Sequence, residues 1–160
     1  MKKFSLLGTM LVVALTQAGC GTEVKSVPFA ASGGEAPVYF GKQEHPPVKA
    51  GLGDAARGEV PVYFGKQEHR PVKSHLGDAA YSVRIARKTS DPTEACHLAL
   101  AEAVAKLRAA ARERHANAVI EVSTRFHSTE SDSSNDFTCG ISPSAAAISV
   151  RGQLVVLDAG

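Results

Sequence analysis

The N-terminal segment, with a cysteine at its end, constrains this chain more than any other feature. Two lysines are followed by an apolar run from Phe4 to Leu15, and Ala18-Gly19-Cys20 closes the segment. This layout is typical of a bacterial lipoprotein signal, in which residues 1–19 are removed and Cys20 is acylated. The chain has 3 cysteines. Acylation of Cys20 would therefore leave Cys96 and Cys139 as one possible disulfide.

Gln17 and Gly21, which flank the Ala18-Gly19-Cys20 site, bear on how this segment is cleaved and where the protein is sorted. Gln17 stands where lipoprotein signals usually carry Leu, so cleavage after Ala18 by a non-lipid signal peptidase is the alternative. A membrane-spanning helix is disfavoured because the apolar run is shorter than the roughly 20 residues that a bilayer core requires. Gly21, rather than Asp, follows the cysteine. We therefore expect a lipid anchor on the periplasmic face of the outer membrane, with a soluble periplasmic or secreted protein as the alternative.

Charge and composition restrict the possible partners and the size of the core. Removing residues 1–19 takes away two lysines and no acidic residue, so the formal charge of +2 falls to about zero. A neutral domain lacks the basic excess that nucleic-acid binding normally needs. Tryptophan is absent and alanine is abundant. We expect one small domain with a core of Val, Ile, Leu and Ala, which a disulfide would help to stabilise.

An internal repeat precedes this domain. Residues 34–56 and 58–80 align without gaps at a period of 24, and all but four positions are identical. Two such units are too few for a solenoid. We predict that Val62-Tyr63-Phe64 forms a strand, whereas Val38-Tyr39-Phe40 is redundant and either loose or paired at a sheet edge. The extended aromatic residues could add to a sheet edge, in this chain or in a partner (Tyr39, Phe40, Tyr63 and Phe64), and a neutral duplication explains them at least as well.

The remainder predicts an α+β fold, with a small antiparallel or mixed sheet packed on one long helix and one disulfide. Asp91, Pro92 and Glu94 occupy N-cap, N1 and N3 positions of a helix that extends to about His115. Its apolar stripe is Cys96, Leu100, Val104, Leu107 and Ala111, with Arg108, Arg112 and Glu113 on the wetter side. We predict a left-handed cap at Asn117 and a polar loop over Ser128–Asp136. Further strands are expected at Tyr81–Arg87, Ala118–Val122, Ala145–Val150 and Gln153–Leu157, the last two joined by a tight turn at Arg151-Gly152.

The expected organisation therefore has four parts. Residues 1–19 form the signal, 20–35 a flexible Ser- and Gly-rich tether, 36–59 an arm made of the first repeat copy, and 60–160 the α/β domain with the second copy.

Five short segments stand in a distinctive order along the domain: Val62-Tyr63-Phe64-Gly65, Leu76-Gly77, Glu94-Ala95-Cys96, Ala116-Asn117-Ala118-Val119-Ile120 and Phe137-Thr138-Cys139. In this order they resemble a family of small exported bacterial proteins of unknown function that carry the misleading label "excinuclease ATPase subunit". The helix followed by Ala-Asn-Ala-Val-Ile is also similar to the YbjQ family and, more distantly, to the Rcs stress-sensing outer-membrane lipoprotein. The resemblance implies a sheet-plus-helix fold and a disulfide from helix start to strand start. Some members carry His after the second cysteine, where this chain has Gly140, and the family has one Tyr-Phe-Gly unit where this chain has two.

The pair Cys96 and Cys139 is the strongest candidate feature. A bridge would close a loop of about 40 residues and contribute roughly 3–4 kcal/mol in the chain-entropy model. Two buried free thiols are the alternative, and export to an oxidising compartment favours the bridge. A redox-active pair is disfavoured because the chain has no Cys-x-x-Cys motif.

Metal binding is the sharper functional hypothesis. His69, His75 and His97 could converge if the repeat strand packs beside the helix start, yet their spacing is not typical of zinc ligands. Exposed histidines are the ordinary interpretation.

No nucleophile elbow or phosphate-binding loop is present, so we expect no enzyme and no cofactor. The sequence favours a non-enzymatic envelope protein that binds or senses, held by a lipid anchor and contacting an envelope protein partner. A metal- or small-ligand-binding periplasmic protein is the alternative.

Overall fold

A mixed sheet of seven strands carries the fold, and one long helix packs on one of its faces. The computed structural model describes residues 21–29 and 59–159. The elements are β1 (Glu23–Pro28), β2 (Val62–Phe64), β3 (Val72–Ala86), α1 (Pro92–Glu113), β4 (Ala118–Phe126), β5 (Thr129–Ser131), β6 (Asp136–Ile141) and β7 (Ala145–Leu157). The predicted α+β fold with one long helix is confirmed. The sheet is mixed because β2 runs parallel to β4, while the other described pairs are antiparallel.

Strand β7 is the centre of the sheet and pairs with β3, β4 and β6. Its residues alternate between the two faces, as strand geometry requires. Ile148, Val150 and Leu154 are buried in the main core, which α1 also lines. The intervening side chains lie on the opposite face, which α1 does not cover.

The predicted turn at Arg151-Gly152 is wrong, because β7 passes through these residues without interruption. Gly152 is required for a different reason. A Cβ atom there would lie 2.7 Å from a methyl carbon of Val119 and 2.8 Å from one of Val122. The crowding comes from an irregularity in β4, where Glu121 has a φ of 50°. A glycine inside a strand thus indicates a close approach here rather than a turn.

Helix α1 begins as predicted. Asp91 is the N-cap, its carboxylate accepts a hydrogen bond from the Thr93 amide at 2.8 Å, and Pro92 follows at the first helical position. The helix ends at Glu113, slightly before the predicted boundary. The left-handed residue after the helix is His115, with a φ of 59°, so the prediction of a left-handed cap at Asn117 is wrong. Asn117 instead uses its side chain to bind the backbone of Leu157.

Strand β1 lies within the residues predicted as a flexible tether. Glu23–Pro28 pairs antiparallel with β6 across its full length, and Val27 is buried. Phe29 follows, and its ring centroid lies 4.5 Å from that of Phe64 and 5.4 Å from that of Phe137. The segment was hard to recognise because one side chain of the strand is buried and the rest are polar or exposed. The structure therefore corrects the tether over residues 23–28.

Other strand boundaries extend beyond the sequence predictions. Strand β3 begins at Val72 rather than Tyr81, and β4 continues to Phe126. The predicted loop Ser128–Asp136 contains β5, which forms a hairpin with β4. Strand β6 has no alternation to reveal it, since five of its six residues are buried.

No helix within residues 21–29 and 59–159 is long and apolar enough to cross a membrane. The predicted signal over 1–19, Cys20, and the first-copy residues Tyr39 and Phe40 lie outside the described residues.

Candidate functional site

The helix-free face of the sheet carries a polar groove. Alternation along three adjacent strands places side chains from β3, β4 and β7 on this face, and β5 adds Glu130 at one side. The groove has a volume of about 490 Å³. We call it the sheet groove and define it by the residues that line it: Asp78, Ala80, Tyr81, Ser82, Ser123, Arg125, Glu130, Ser149, Val150 and Arg151.

Three hydroxyl groups on the floor of the sheet groove are held by short contacts. Ser82 and Ser149 are register partners on β3 and β7, and their Oγ atoms lie 2.7 Å apart. Ser123 Oγ donates to Glu130 Oε1 at 3.0 Å. Because each serine side chain is short, the strands themselves fix the positions of these hydroxyls.

Two arginines are the cationic groups of the sheet groove, and Asp78 and Glu130 are its anionic groups. Arg151 Nη2 lies 2.8 Å from Asp78 Oδ2, and the hydrogen bond and charge of Asp78 raise the pKa of Arg151. Both side chains are exposed, so this pair contributes little to stability. Arg125 is exposed and has no hydrogen-bond or ion-pair partner within the described ranges. Its backbone lies opposite Glu130 on one side and Ser149 on the other, so its guanidinium projects from the polar face.

The same sheet face is apolar beyond the groove. Gln153 Nε2 donates to Glu121 Oε2 at 2.6 Å, and this pair lies at the end of the polar part of the face. Further along lies a second cluster of buried side chains, with Tyr63 and Val72 packed against it: Ala118, Ile120, Val155 and Leu157. One face therefore joins a hydrogen-bonding groove to an apolar patch.

The disulfide between Cys96 and Cys139 is present. It joins the start of α1 to the middle of β6, with a Cα–Cα distance of 5.9 Å, and both residues are fully buried. The predicted pairing is confirmed, and two free thiols are excluded. The bridge lies within the main core, away from the sheet groove, so its role is to fix the helix against β6.

His97 lies beside the disulfide in the first turns of α1. Its ring meets that of Phe137 edge-on with centroids 5.2 Å apart. The Nε2 atom is buried without a hydrogen-bond partner among the described residues. Burial lowers the pKa of His97, and the negative charge of Asp91 opposes this shift. The neutral imidazole is therefore favoured, and it serves as a packing element.

The three histidines proposed as metal ligands are not gathered into a metal site. His69 is exposed in the turn after β2, where Nδ1 lies 2.8 Å from the Arg70 carbonyl oxygen. His75 is exposed on β3 opposite Val155. Over residues 21–29 and 59–159, no three His, Cys, Asp or Glu side chains form a group that could hold a metal ion.

The aromatic residues of the second repeat copy are used inside the fold. Phe64 is 1% exposed and packs against Phe29, so it adds to the sheet of its own chain, one of the two expected uses, and is not available to a partner in this structure. Tyr63 is half-buried against the apolar patch, with its ring edge-on to His69 at 5.5 Å. The reason is strand alternation: with Val62 and Phe64 facing the main core, Tyr63 must face the other side.

Sequence reasoning missed the sheet groove, although a signal was present. Ser149, Arg151 and Gln153 alternate with Ile148, Val150 and Leu154, which is typical of a half-buried strand with one polar face. The predicted turn at Gly152 split this pattern in two and hid it.

Comparisons of the chain with protein-family descriptions, with curated proteins and with solved structures found no match.

Proposed function

We propose that this protein is a non-enzymatic component of the bacterial envelope that binds a polar partner through the sheet groove. In this proposal a lipid at Cys20 anchors it to the periplasmic face of the outer membrane. The observation that carries the binding role is Arg125, which projects from the groove without a partner among the described residues. Hydroxyls, carboxylates and guanidinium groups lie close together there, and such a set suits hydrogen bonding to a peptide or a sugar.

Two features support export and anchoring. The N-terminal segment has the layout of a lipoprotein signal. The buried disulfide is of the kind that forms and persists in oxidising compartments. Membership of the exported family named above remains a prediction.

The proposed anchor would hold the domain close to the bilayer. Gly21 and Thr22 alone separate Cys20 from β1, and β1 is paired with β6 along its whole length. A connection of this length spans about 10 Å when extended. An anchored domain would therefore lie against the headgroups, with the sheet groove presented to molecules near the membrane surface.

Membrane fractionation tests the anchor. Expressed from the full chain, the wild type should partition with the outer membrane, and Cys20→Ala should lose acylation and leave the membrane fraction. Gly21→Asp is the matched control, because it keeps the acylated cysteine and changes the sorting position. A Cys20→Ala protein that still carries lipid would sink this part of the proposal.

Photo-crosslinking tests the sheet groove. A photoreactive residue at Ala80, which is exposed in the groove, should capture a partner in whole envelopes. The same residue at Ala101, exposed on α1, is the control. Arg125→Ala should abolish capture and Arg112→Ala should preserve it. Equal capture from both faces, or capture insensitive to Arg125→Ala, would exclude the groove as the binding surface.

A further inference from the structure

The second repeat copy is held by a specific set of contacts with α1, β4 and β7. The Val119 amide donates to the Pro61 carbonyl at 3.0 Å, and the Gly65 amide donates to the Val122 carbonyl at 3.0 Å. Val62 and Phe64 are 0% and 1% exposed. We call the surfaces of α1, β4 and β7 that hold residues 59–80 the repeat site.

Arg108 fixes the entrance of the repeat site. Its Nε atom donates to the Val60 carbonyl at 3.0 Å, and its Nη1 atom is bonded to the carboxylate of Glu59. The Arg108 side chain is 14% exposed, so the prediction that it lies on the wetter side of the helix is wrong. Burial lowers the pKa of Arg108, and Glu59 opposes that shift. Further along the unit, Asp78 pairs with Arg151 on β7.

The first copy carries nearly every residue that makes these contacts. Glu35, Pro37, Val38, Phe40 and Gly41 correspond to the docking residues of the second copy, and the two copies differ at four positions. The differing pairs are Ala36 for Val60, Pro46 for Arg70, Ala50 for Ser74 and Gly51 for His75.

Only one of the four differences reaches the core. Arg70, Ser74 and His75 are exposed, whereas Val60 is 6% exposed. The Val60 contact with Arg108 uses its carbonyl oxygen, a group that every residue has. If the first copy replaced the second, the buried methyl groups of one valine would be lost. The backbone hydrogen bonds and the other buried side chains would be retained.

From these observations we propose that residues 34–56 are a second ligand for the repeat site and compete with residues 58–80 for it within the same chain. Two arrangements of one polypeptide then share the same sheet. The described arrangement is favoured by Val60 and by the direct continuation of β3 from Ala80 into Tyr81.

Chain connectivity permits the exchange. Residues 30–34 would link Phe29 to Glu35, a distance of up to about 20 Å for an extended chain. Phe29 contacts Phe64 at one end of β2, and the run from Glu59 to Phe64 is about 17 Å long as a strand. The first copy can therefore enter the site from β1.

The displaced copy can also be accommodated. In the alternative arrangement, Ala56 would take the place of Ala80. Residues 57–80 would then form a loop between Ala56 and Tyr81. Strand β3 is bonded on one side, to β7, among the described residues, so this loop would cross no other strand. The entropic cost of closing a loop rises only slowly with its length, so a loop of this size carries a modest penalty.

Paired substitutions in the full chain test the competition. Val62→Asp should remove the second copy from the site, and Val38→Asp is the matched control in the first. We expect Val38→Asp to unfold like the wild type and Val62→Asp to keep one cooperative transition at a lower temperature. The double variant Val38→Asp/Val62→Asp should lose that transition. If Val62→Asp and the double variant behave alike, the two copies do not compete.

Hydrogen exchange identifies which copy is bound. In Val62→Asp, protection should move from the Gly65 amide to the Gly41 amide, while the Val119 amide stays protected. If the same shift in protection occurs only in a dimer, the first copy of one molecule occupies the repeat site of the other. That result would overturn the proposal that the two copies compete within one chain. Loss of protection at Val119 would overturn the proposal altogether.

A deletion provides an independent measurement. Removing residues 57–80 joins Ala56 to Tyr81 and leaves the first copy alone. We expect this chain to fold with the Cys96–Cys139 bridge. Its unfolding midpoint should match that of the full chain carrying Val60→Ala, because that substitution shortens the same side chain of the docked copy to the alanine found in the first copy. A deleted chain that does not fold would show that the first copy cannot occupy the repeat site.

Discussion

Asn117 binds both backbone polar groups of Leu157 through its side chain. Its Nδ2 atom donates to the Leu157 carbonyl at 3.0 Å, and its Oδ1 atom accepts from the Leu157 amide at 2.7 Å. The Asn117 amide adds a hydrogen bond to the Val155 carbonyl at 3.0 Å. Asn117 directly precedes β4 and thus ties the start of β4 to the end of β7. Its amide side chain supplies a donor and an acceptor on two separate atoms, which match the carbonyl and the amide of one residue.

Replacement of Asn117 should destabilise the protein through this pair of bonds. Asn117→Ala should lower the free energy of unfolding by about 1–3 kcal/mol, since two hydrogen bonds are lost. Asn117→Asp keeps the shape and loses the donor, so it should be destabilising above the carboxylate pKa. Urea denaturation provides the measurement. A stability equal to that of the wild type in both variants would show that water replaces the side chain without cost.

His97 should make stability depend on pH. Burial holds its pKa in the folded protein below the ordinary value of 6.5, so the unfolded chain binds a proton that the folded chain does not. Stability is therefore complete above pH 6.5 and decreases as pH falls from 6.5 to the folded-state pKa. His97→Leu should flatten this part of the curve, as thermal unfolding at a series of pH values would show. His75→Gln, at an exposed position of β3, is the control and should retain the loss of stability below pH 6.5.

Removal of the disulfide should cost a large part of the total stability. The bridge spans 43 positions, and a loop of this size is worth about 4 kcal/mol in the chain-entropy model. The double variant Cys96→Ala/Cys139→Ala should lose about this amount in urea denaturation. Reduction of the wild type should give a similar loss, and a much smaller effect in both would indicate that the packing of α1 on β6 does not need the bridge.

Loss of the Arg108 guanidinium should lower the stability of the protein more than loss of the Arg112 guanidinium. Arg108→Met keeps the aliphatic stem and deprives the Val60 carbonyl of its donor, which should cost about 1–3 kcal/mol. Arg112 is exposed, so Arg112→Met should change stability by less than about 0.5 kcal/mol. Equal effects of the two substitutions in chemical denaturation would contradict an anchoring role for Arg108.

Gly140 and Phe126 should be energetically coupled. A Cβ atom on Gly140 would lie 2.3 Å from the Phe126 ring, so Gly140→Ala must displace the ring and should cost about 1–3 kcal/mol. Phe126→Leu removes the obstructing ring atoms, and the alanine should then cost less. A double-mutant cycle measures this coupling, and strictly additive effects would show that the ring moves freely.

The sequence predicted the elements that carry their own local signals. The start of α1 was recognisable because Asp91 and Pro92 cap the helix regardless of what it packs against. Val62-Tyr63-Phe64 was recognisable as a short strand between turn residues. Cys96 and Cys139 were paired by the export hypothesis together with the cysteine count, and the structure confirms the pair.

The remaining features depend on contacts between distant segments. Strand β1 gains its place from β6 and from Phe29 rather than from any pattern of its own. The sheet groove combines residues of β3, β4, β5 and β7, which no local window contains. Gly152 resembles a turn residue in sequence and is a packing residue in the sheet. Such positions are decided by tertiary neighbours, so a single sequence does not reveal them.

The central position of β7 has a consequence for biogenesis. This strand follows the other strands in the sequence, yet β3, β4 and β6 all pair with it. A polypeptide that emerges from a ribosome or a translocation pore with its N-terminus first cannot complete its ladder until residues 145–157 appear. Proteins dominated by such long-range pairings fold slowly. Until β7 emerges, β3, β4 and β6 lack their shared partner, even though both cysteines of the disulfide are already present.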